Sequence, residues 1–432
     1  MYRNALEQLK LWKARPNRKP LILQGARQVG KTWLMQEFGK LEFQRTFIIN
    51  FEDDAHARGV FEEDLDVHRI MKALSIKAGY QITPDTLLVL DEIQACPQAL
   101  TSLKYFCEKL PQQPVLAAGS LLGIFIHQRT SFPVGKVEFL HLYPLSFMEF
   151  LQAVGEKSLY ELLLQRDFKT IKAFAYKYTD LLKQYFYVGG MPAAVAEFAR
   201  TNDYQRVRQL QKELLQTYEG DFSKYPPSTV SQRIREVWHS IPSQLTKENK
   251  KFIYGVIRDG ARAKEYETAI EWLQDSGLIY KVHRVTKPYM PLSAYQELNI
   301  FKIFIADVGL LGALSELNAN TVIDGSSIFT EFKGALTEQY VLQQLKGMTD
   351  VFPYYWTSGE RAEIDFVTQY ENQIIPIEAK ANTNLRAKSL KSYCDQYKPE
   401  IAIRFSLADY KQTGNLYDIP LYMVELFRQI IK

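Results

Sequence analysis

Residues 25–32 have the residue types and the spacing of the phosphate-binding loop of nucleotide hydrolases. In order they read Gly25-Ala26-Arg27-Gln28-Val29-Gly30-Lys31-Thr32. In such a loop the backbone N–H groups surround a polyphosphate, the lysine reaches the outer phosphates and the threonine hydroxyl holds Mg²⁺. The segment therefore predicts a nucleotide site in which Lys31 is catalytic and Thr32 is a metal ligand.

Two carboxylates, Asp91 and Glu92, directly follow the apolar run Leu87–Leu90. A buried strand that ends in two carboxylates is costly unless they act at its tip. We expect Asp91 to reach Mg²⁺ and Glu92 to orient or deprotonate the attacking water. Without the phosphate loop upstream, a helix cap would be a serious alternative. Ser120 follows the next apolar run and is a candidate contact to the γ-phosphate, with a plain turn as the alternative.

A β-hairpin is predicted near the C-terminus, where residues 362–370 and 373–380 both alternate polar and apolar side chains. Glu371-Asn372 between them has the length of a two-residue turn. Pairing Tyr370 with Gln373 fixes which side chains share a face. The face predicted to point to the core carries Ile364, Phe366, Ile375, Ile377 and Ala379.

The other face of this hairpin is charged. The same register places Asp365 opposite Glu378, and Glu363 opposite Lys380, with opposed side chains about 5 Å apart. Two carboxylates that close repel each other unless a cation lies between them, and their oxygens suit Mg²⁺ or Mn²⁺. Glu338 lies on the apolar stripe of a preceding helix, so a metal ion is its natural partner too.

The elements that must position these residues are predicted from apolar runs that alternate with helical stretches. Such alternation is typical of a parallel sheet wrapped by helices. The predicted strands are Pro20–Gln24, Thr46–Phe51, Leu87–Leu90, Pro114–Ala118 and Val137–Leu142.

The middle of the chain is predicted to be mainly helical. Residues 149–221 have helical periodicity, and Lys247–Val285 combines helices near 249–257 and 264–274 with a strand, which resembles a winged helix. This last region is basic, so DNA contact is one interpretation. We favour a solvated surface on a module used for packing, since acidic residues are interleaved throughout.

Composition sets broad limits on the class of protein. The chain has 432 residues, a net charge of +4 and 46% hydrophobic residues, as in an ordinary protein of two or three domains. Its 3 cysteines are too few and scattered for a disulfide framework or a zinc site. No apolar run approaches the roughly 18 residues that span a bilayer, and no signal-peptide core is present. We expect a cytoplasmic protein without a membrane partner.

The phosphate loop, the acidic strand end and three further segments resemble the prokaryotic AAA+-type ATPase family with a DUF4143 C-terminal region. The acidic strand end reads Asp91-Glu92-Ile93-Gln94, and the three further segments are Gly119-Ser120, Tyr143–Phe150 and Gly189-Gly190-Met191-Pro192. This resemblance implies ATP as ligand, an extra strand between the loop strand and the Asp91 strand, a helical lid, and a homo-oligomer, with a hexamer as one form.

One position departs from the family pattern. Where the family commonly has Gly-Arg before its Pro-Leu-Ser-Phe segment, this chain has Gly135-Lys136. An arginine that acts on a neighbouring subunit's γ-phosphate uses a planar fork that lysine lacks. Arg129 takes that role, or Lys136 acts more weakly, or the position is structural.

The helical glutamate and the charged hairpin together resemble the PD-(D/E)xK nuclease superfamily, in particular Holliday-junction resolvases of the archaeal type. The resemblance implies that Glu338, Asp365 and Glu378 hold Mg²⁺ or Mn²⁺. It also implies that Lys380 steadies the attacking water or the scissile phosphate, and that Asp365, Glu378 and Lys380 are catalytic in cutting DNA.

The predicted fold class is α/β, with four parts. They are an AAA+-type ATPase core at 1–150, a helical lid at 151–230, a winged-helix-like module at 231–295 and a restriction-endonuclease-like domain at 296–432. The predicted function is ATP hydrolysis coupled to metal-dependent action on DNA. The alternative is a nucleotide-controlled switch or scaffold whose nuclease-like domain binds without cutting.

Overall fold

A computed structural model describes residues 1–119, 132–224, 226, 228–247, 250–323, 330–359, 362–383 and 388–431. The chain divides into two compact units. The N-terminal unit is Tyr2–Tyr143 with Asp275–Gly277, and the C-terminal unit is Pro144–Gln274 with Leu278–Lys432, to which Met1 also groups. Across the described residues, no helix has the length and apolar character needed to cross a membrane.

The N-terminal unit is built on a parallel sheet. Its strands are β1 (Leu21–Gln24), β2 (Arg45–Asn50), β3 (Thr86–Asp91), β4 (Val115–Ala118) and β5 (Glu138–His141). Within the described residues these five strands lie in the order β2-β3-β4-β1-β5. Strand β4 therefore separates the strand before the phosphate loop from the strand that ends in Asp91, which confirms the predicted arrangement.

Helices cover both faces of this sheet. They are α1 (Ala5–Ala14), α2 (Lys31–Glu42), α3 (Ala55–Glu63), α4 (Val67–Ala78) and α5 (Pro97–Lys109). Along β3, Leu88 and Leu90 pack with α3, α4 and α5, whereas Leu87 and Val89 pack with α1 and α2. Since neighbouring residues of a strand face opposite sides, a strand buried on both faces must be apolar throughout. This explains the unbroken apolar run before Asp91.

The C-terminal unit begins with helices, as the periodicity of residues 149–221 predicts. They are α6 (Phe147–Ala153), α7 (Lys157–Gln165), α8 (Phe168–Ala173), α9 (Ala175–Val188), α10 (Pro192–Thr201), α11 (Tyr204–Lys224) and α12 (Ser228–Leu245). The later helices of the unit are α13 (Tyr254–Ile257), α14 (Ala263–Asp275), α15 (Val308–Leu314), α16 (Ala319–Ile323), α17 (Thr330–Lys346), α18 (Lys388–Tyr397) and α19 (Phe427–Ile430). Short 3₁₀ helices lie at Ile93–Ala95, Leu292–Tyr295 and Leu421–Leu426.

One predicted helix is shorter than expected. Of the described residues in the predicted helix at 249–257, the helical ones are Tyr254–Ile257. Lys250 has a φ of +45°, in the left-handed region that a right-handed helix excludes. The sequence pattern could not show this, because the side chain of Lys250 is turned toward a distant partner, described below.

A mixed sheet forms the rest of the C-terminal unit. Its strands are β6 (Ile279–Val285), β7 (Gln296–Ile305), β8 (Tyr354–Thr357), β9 (Glu363–Tyr370), β10 (Gln373–Ala379), β11 (Ala402–Ser406), β12 (Lys411–Thr413) and β13 (Leu416–Pro420). In the described chain these eight strands lie in the order β12-β13-β11-β10-β9-β8-β6-β7. The strand of the predicted winged helix, β6, thus belongs to the same sheet as the predicted hairpin. The four predicted domain boundaries stay predictions.

The hairpin β9–β10 has the predicted register. Its pairs run from Gln373–Tyr370 to Ile377–Phe366, and Glu371 occupies the turn with a φ of +53°. The side chains predicted to face the core are buried: Ile364, Phe366, Ile375, Ile377 and Ala379. Period-two alternation and a two-residue turn were sufficient to define this element.

A buried polar network ties together two segments that carry the family resemblance. The Gly190 N–H donates to Asp307 Oδ2 at 2.6 Å, and the Leu145 N–H donates to Gly190 O at 2.6 Å. Tyr185 Oη donates to Leu145 O, and Gln343 Nε2 donates to Asp307 Oδ2 at 3.1 Å. Burial raises the pKa of Asp307 to about 6. These contacts hold Leu145 and Gly190 in place beside helices α9 and α17.

Replacing Gly190 by alanine should destabilise the C-terminal unit. An added Cβ would lie 2.1 Å from Leu145 O, a backbone atom that cannot move away cheaply. We expect a loss of about 1–3 kcal/mol in the free energy of unfolding, the usual cost of overpacking. Urea unfolding followed by circular dichroism measures it.

Gly220→Ala in helix α11 is the matched control. No atom lies within 4 Å of a Cβ at that position, so alanine should stabilise the helix by roughly 0.5–1 kcal/mol. Equal unfolding midpoints for Gly190→Ala and wild type would contradict the close packing of Gly190.

Candidate functional site

The phosphate loop connects β1 to the first turn of α2. Gly25 has a φ of +151°, and a Cβ there would lie 2.2 Å from Leu142 O, so this position requires glycine. Gly30, with a φ of +96°, caps helix α2. The loop therefore turns its backbone N–H groups and the helix N-terminus toward the same space, which is the arrangement that binds phosphate.

Lys31 is folded back onto this loop. Its side chain is buried, and Nζ donates to Gly25 O at 2.9 Å and to Ala26 O at 3.0 Å. Burial lowers the pKa of Lys31 to about 8, although the nearby Glu92 and Asp91 favour the charged form. Phosphate oxygens are stronger acceptors for an ammonium group than these carbonyls.

The loop and the acidic strand end meet through Thr32 and Asp91. Thr32 Oγ1 donates to Asp91 Oδ2 at 2.7 Å, and the Glu92 N–H donates to Asp91 Oδ1 at 3.0 Å. Burial raises the pKa of the Asp91 carboxyl. A hydroxyl and a carboxylate in contact are the oxygen donors that Mg²⁺ prefers. The residues present therefore fit a Mg²⁺ ion at this position.

Glu92 follows β3 in a left-handed backbone conformation, with a φ of +49°. Gln94 Nε2 donates to Glu92 Oε2 at 2.6 Å and so orients the carboxylate. Left-handed non-glycine residues are sparse and concentrate at functional sites. Gln94 belongs to the motif Asp91-Glu92-Ile93-Gln94, but the sequence alone does not indicate that it contacts Glu92.

Three other residues of the nucleotide prediction are less informative. Ser120 and Arg129 lie outside the described residues. Lys136 Nζ forms an ion pair with Glu108 Oε1 at 2.8 Å, and both side chains are partly exposed. The residue that would act on a neighbouring subunit therefore stays open between Arg129 and Lys136.

Arg3 is a loop contact that sequence reasoning missed. It is buried, and its guanidinium donates to Val29 O at 3.0 Å and to Tyr143 O at 2.5 Å. The carbonyl of Val29 belongs to the phosphate loop, so Arg3 helps to hold the loop in place. One arginine ahead of a helix gives no signal in the sequence, because its partners lie far along the chain.

ATP binding should weaken as the pH rises through about 8. The neutral Lys31 amine cannot pair with phosphate, and with a pKa of about 8 its charged fraction falls about tenfold between pH 7 and pH 9. We expect the Kd for a fluorescent ATP analogue to rise by a similar factor. Lys31→Arg keeps its charge over this range, so a similar pH dependence in that variant would contradict the role of Lys31.

A second group of charged residues converges in the C-terminal unit. We call it the acidic cluster, and it contains the carboxylates Glu338, Glu363, Asp365 and Glu378 and the ammonium groups of Lys250, Lys302 and Lys380. Helix α17 supplies Glu338, and the hairpin β9–β10 supplies Glu363, Asp365 and Glu378. The structure thus brings together the four residues that the nuclease resemblance singled out.

The ion pairs of the cluster differ in part from the expected ones. Lys380 contacts Glu378, whereas Glu363 contacts Lys302 instead of Lys380. Lys302 is fully buried, and its Nζ lies 3.8 Å from Glu338 Oε2. Sequence reasoning missed Lys302, although a lysine within the apolar run 301–305 is a visible signal of a buried partner.

The electrostatics of the cluster are those of crowded carboxyl groups. Burial, with the neighbouring Glu338 and Glu378, raises the pKa of Asp365 well above its usual range. Burial also raises the pKa of Glu378, against the effect of Lys380. Lys250 and Lys302 lower the pKa of Glu338 in spite of its burial.

The carboxylates of the acidic cluster are suitable ligands for a divalent ion, but in this structure they contact lysine side chains. In the described part of the chain, no three His, Cys, Asp or Glu side chains are arranged to hold a metal ion. Oε2 of Glu378 is nevertheless buried and has no hydrogen-bond partner among the described residues, whereas Oε2 of Glu338 lies 3.8 Å from Lys302 Nζ. An unpaired buried carboxylate oxygen is costly, and a hard cation would satisfy it.

Comparison with known families identifies the parts of the chain. Residues 17–151 match the model described as AAA domain, and residues 333–424 match the domain of unknown function DUF4143. Residues 179–321 match another domain of unknown function, DUF8612. The chain therefore carries an AAA-type ATPase domain and a DUF4143 domain, as the resemblance predicted. The nuclease-like nature of the latter stays a prediction.

Several solved structures are similar to this chain. A Walker-type ATPase of Pyrococcus abyssi is 16% identical, with a TM-score of 0.46 over 73% of this chain and 96% of that protein. The Aeropyrum pernix ORC1 protein in complex with DNA is 15% identical, with a TM-score of 0.27 over 72% and 91%. Drosophila ORC bound to DNA is 14% identical, with a TM-score of 0.27 over 73% and 95%. The comparison with curated proteins found no match.

Proposed function

We propose that this chain hydrolyses ATP with Mg²⁺ in its N-terminal unit and cuts DNA with a divalent metal ion at the acidic cluster. The observation that carries the ATPase proposal is the 2.7 Å hydrogen bond from Thr32 Oγ1 to Asp91 Oδ2. It joins the phosphate loop directly to the acidic strand end. An AAA-type ATPase domain at residues 17–151 supports the same conclusion.

Each residue of the nucleotide site has a proposed role. The loop Gly25–Thr32 binds the phosphates through its N–H groups, and Lys31 leaves its carbonyl partners to reach the outer phosphates. Thr32 and Asp91 hold Mg²⁺, which neutralises charge on the phosphates. Glu92, oriented by Gln94, holds the attacking water for in-line attack on the γ-phosphate.

The acidic cluster has the residue types that hydrolyse a phosphodiester. Glu338, Asp365 and Glu378 hold the divalent ion, and Lys380 holds the attacking water or the scissile phosphate. A bound metal ion supplies polarisation of water and of the phosphate. The buried Oε2 of Glu378, which has no hydrogen-bond partner among the described residues, carries this part of the proposal.

The alternative function is a nucleotide-controlled switch or scaffold that binds DNA without cutting it. The pairing of Lys250 with Glu338 and of Lys380 with Glu378 favours this reading, because those lysines occupy oxygens that a metal would need. The presence of such a charged cluster does not by itself indicate turnover.

An assay on the full chain separates the two functions. Linear and branched DNA are incubated with the protein, with Mg²⁺ or Mn²⁺ and with or without ATP, while phosphate release is followed in parallel. Metal-dependent cleavage with ATP hydrolysis supports the nuclease proposal. ATP hydrolysis with salt-sensitive DNA binding and no cleavage under either ion supports the switch.

The proposed ATP hydrolysis depends on assembly, because a neighbouring subunit would supply one of the residues that contact the γ-phosphate. A neighbouring subunit would place Arg129 or Lys136 at the γ-phosphate, so hydrolysis per chain should rise with protein concentration. Light scattering with and without ATP measures the proposed homo-oligomer directly.

A further inference from the structure

Lys250 enters the acidic cluster from outside the sheet. It lies between α12 and α13, and its Nζ contacts Oε1 of Glu338, with a side chain that is 15% exposed. The Phe252 N–H donates to Phe301 O at 2.8 Å, and the two rings stack at 5.5 Å. Because Phe301 precedes Lys302 on β7, this anchor holds the Lys250 segment beside the cluster.

The charges of the cluster indicate what Lys250 replaces. Among the described residues, its four carboxylates face three ammonium groups. Lys302 and Lys380 belong to the sheet and its hairpin, and they leave two negative charges when all groups are ionised. Those two charges match one divalent cation, whereas Lys250 neutralises one of them.

We infer that Lys250 is a tethered cation that competes with a divalent metal ion for the acidic cluster and so sets its metal affinity. This inference rests on the proposed metal site. It follows from position, since the ammonium group contacts Oε1 of Glu338, while Oε2 of the same carboxylate lies 3.8 Å from Lys302 Nζ. A metal ion bound by Glu338 would lie next to a like charge, which repels it strongly in a site shielded from water.

Metal binding therefore requires the ammonium group of Lys250 to leave Glu338. Its neighbour in the chain, the short helix α13, need not move, because a lysine side chain has several rotatable bonds. The inference also explains why the described carboxylates are not arranged as a ready metal site. They are arranged around lysines, with Lys250 as the replaceable one.

The test measures Mn²⁺ binding by the nucleotide-free full chain, with electron paramagnetic resonance detecting free Mn²⁺. Lys250→Met should bind Mn²⁺ about tenfold or more tightly than wild type. Lys250→Gln keeps a hydrogen-bond donor for Glu338 without the charge, so it should give the same direction even if the methionine variant folds poorly. Lys247→Met removes an exposed charge from the same segment and should leave affinity unchanged.

The outcomes distinguish the inference from the function on which it rests. One outcome is that wild type, Lys250→Met and Lys250→Gln bind Mn²⁺ with equal affinity and that adding Asp365→Asn abolishes this binding. It would overturn the competition by Lys250 but support the metal site. No Mn²⁺ binding by any variant, including folded Lys250→Gln, would overturn the metal site and the inference together. Tighter binding that Asp365→Asn abolishes supports both.

Discussion

Lys31→Met should reduce Mg²⁺-dependent ATP hydrolysis by roughly 10²–10³-fold, the usual cost of removing a charge-stabilising donor from a phosphoryl or acyl transfer site. Lys31 is buried at the start of α2 and is bonded to the carbonyls of Gly25 and Ala26, so it is already positioned at the loop. Methionine has a similar length and no charge. Because methionine can fill the same buried position, the fold should stay intact while the phosphates lose the positive charge of Lys31.

Steady-state phosphate release gives kcat and KM for this comparison. Lys40→Met is the control, because Lys40 lies exposed on the same helix. It should hydrolyse ATP like wild type. Near-normal hydrolysis by Lys31→Met would refute the assignment of residues 25–32 as the nucleotide site.

Asp365→Asn should abolish metal-dependent DNA cleavage, by roughly 10²-fold or more, while ATP hydrolysis persists. Asp365 lies between Glu338 and Glu378, and Oδ2 accepts a hydrogen bond from the Ala379 N–H at 2.8 Å. Asparagine removes the negative charge that a metal needs. It should not unfold the hairpin, because asparagine has a similar shape and its side-chain oxygen can still accept the hydrogen bond from the Ala379 N–H.

Glu371→Gln makes the same chemical change in the exposed turn of the hairpin. It should cut DNA like wild type, which separates the role of Asp365 from a general loss of charge on β9–β10. If Asp365→Asn and wild type cleave equally, the acidic cluster is not the cutting site. If Asp365→Asn also loses ATP hydrolysis, circular dichroism of the variant tells whether the fold was lost, and an intact fold would contradict the separate role of Asp365.

The elements that depend on local rules are predictable from the order of the amino acids alone. The apolar runs of the sequence predicted the positions of β1–β5. The family resemblance predicted an extra strand between β1 and β3, and in the structure β4 lies there. The hairpin register followed from alternation and a two-residue turn, because one slipped residue would expose Phe366 and Ile377. The motifs also predicted that Lys31, Thr32 and Asp91 form one nucleotide site, because the loop after one parallel strand and the C-terminal tip of another lie at the same edge of the sheet.

Which charged side chains form ion pairs, in contrast, depends on the packing of elements that are distant in the sequence. Lys302 and Glu363 are 61 residues apart, and Lys250 and Glu338 are 88 apart, so no local pattern relates them. The same holds for Arg3, which reaches Val29 and Tyr143 across 26 and 140 residues. A buried charge must find an opposite charge or a donor, but the sequence does not say which one, because packing of distant elements selects the partner. That selection placed the ammonium group of Lys250 against Glu338, one of the proposed metal ligands.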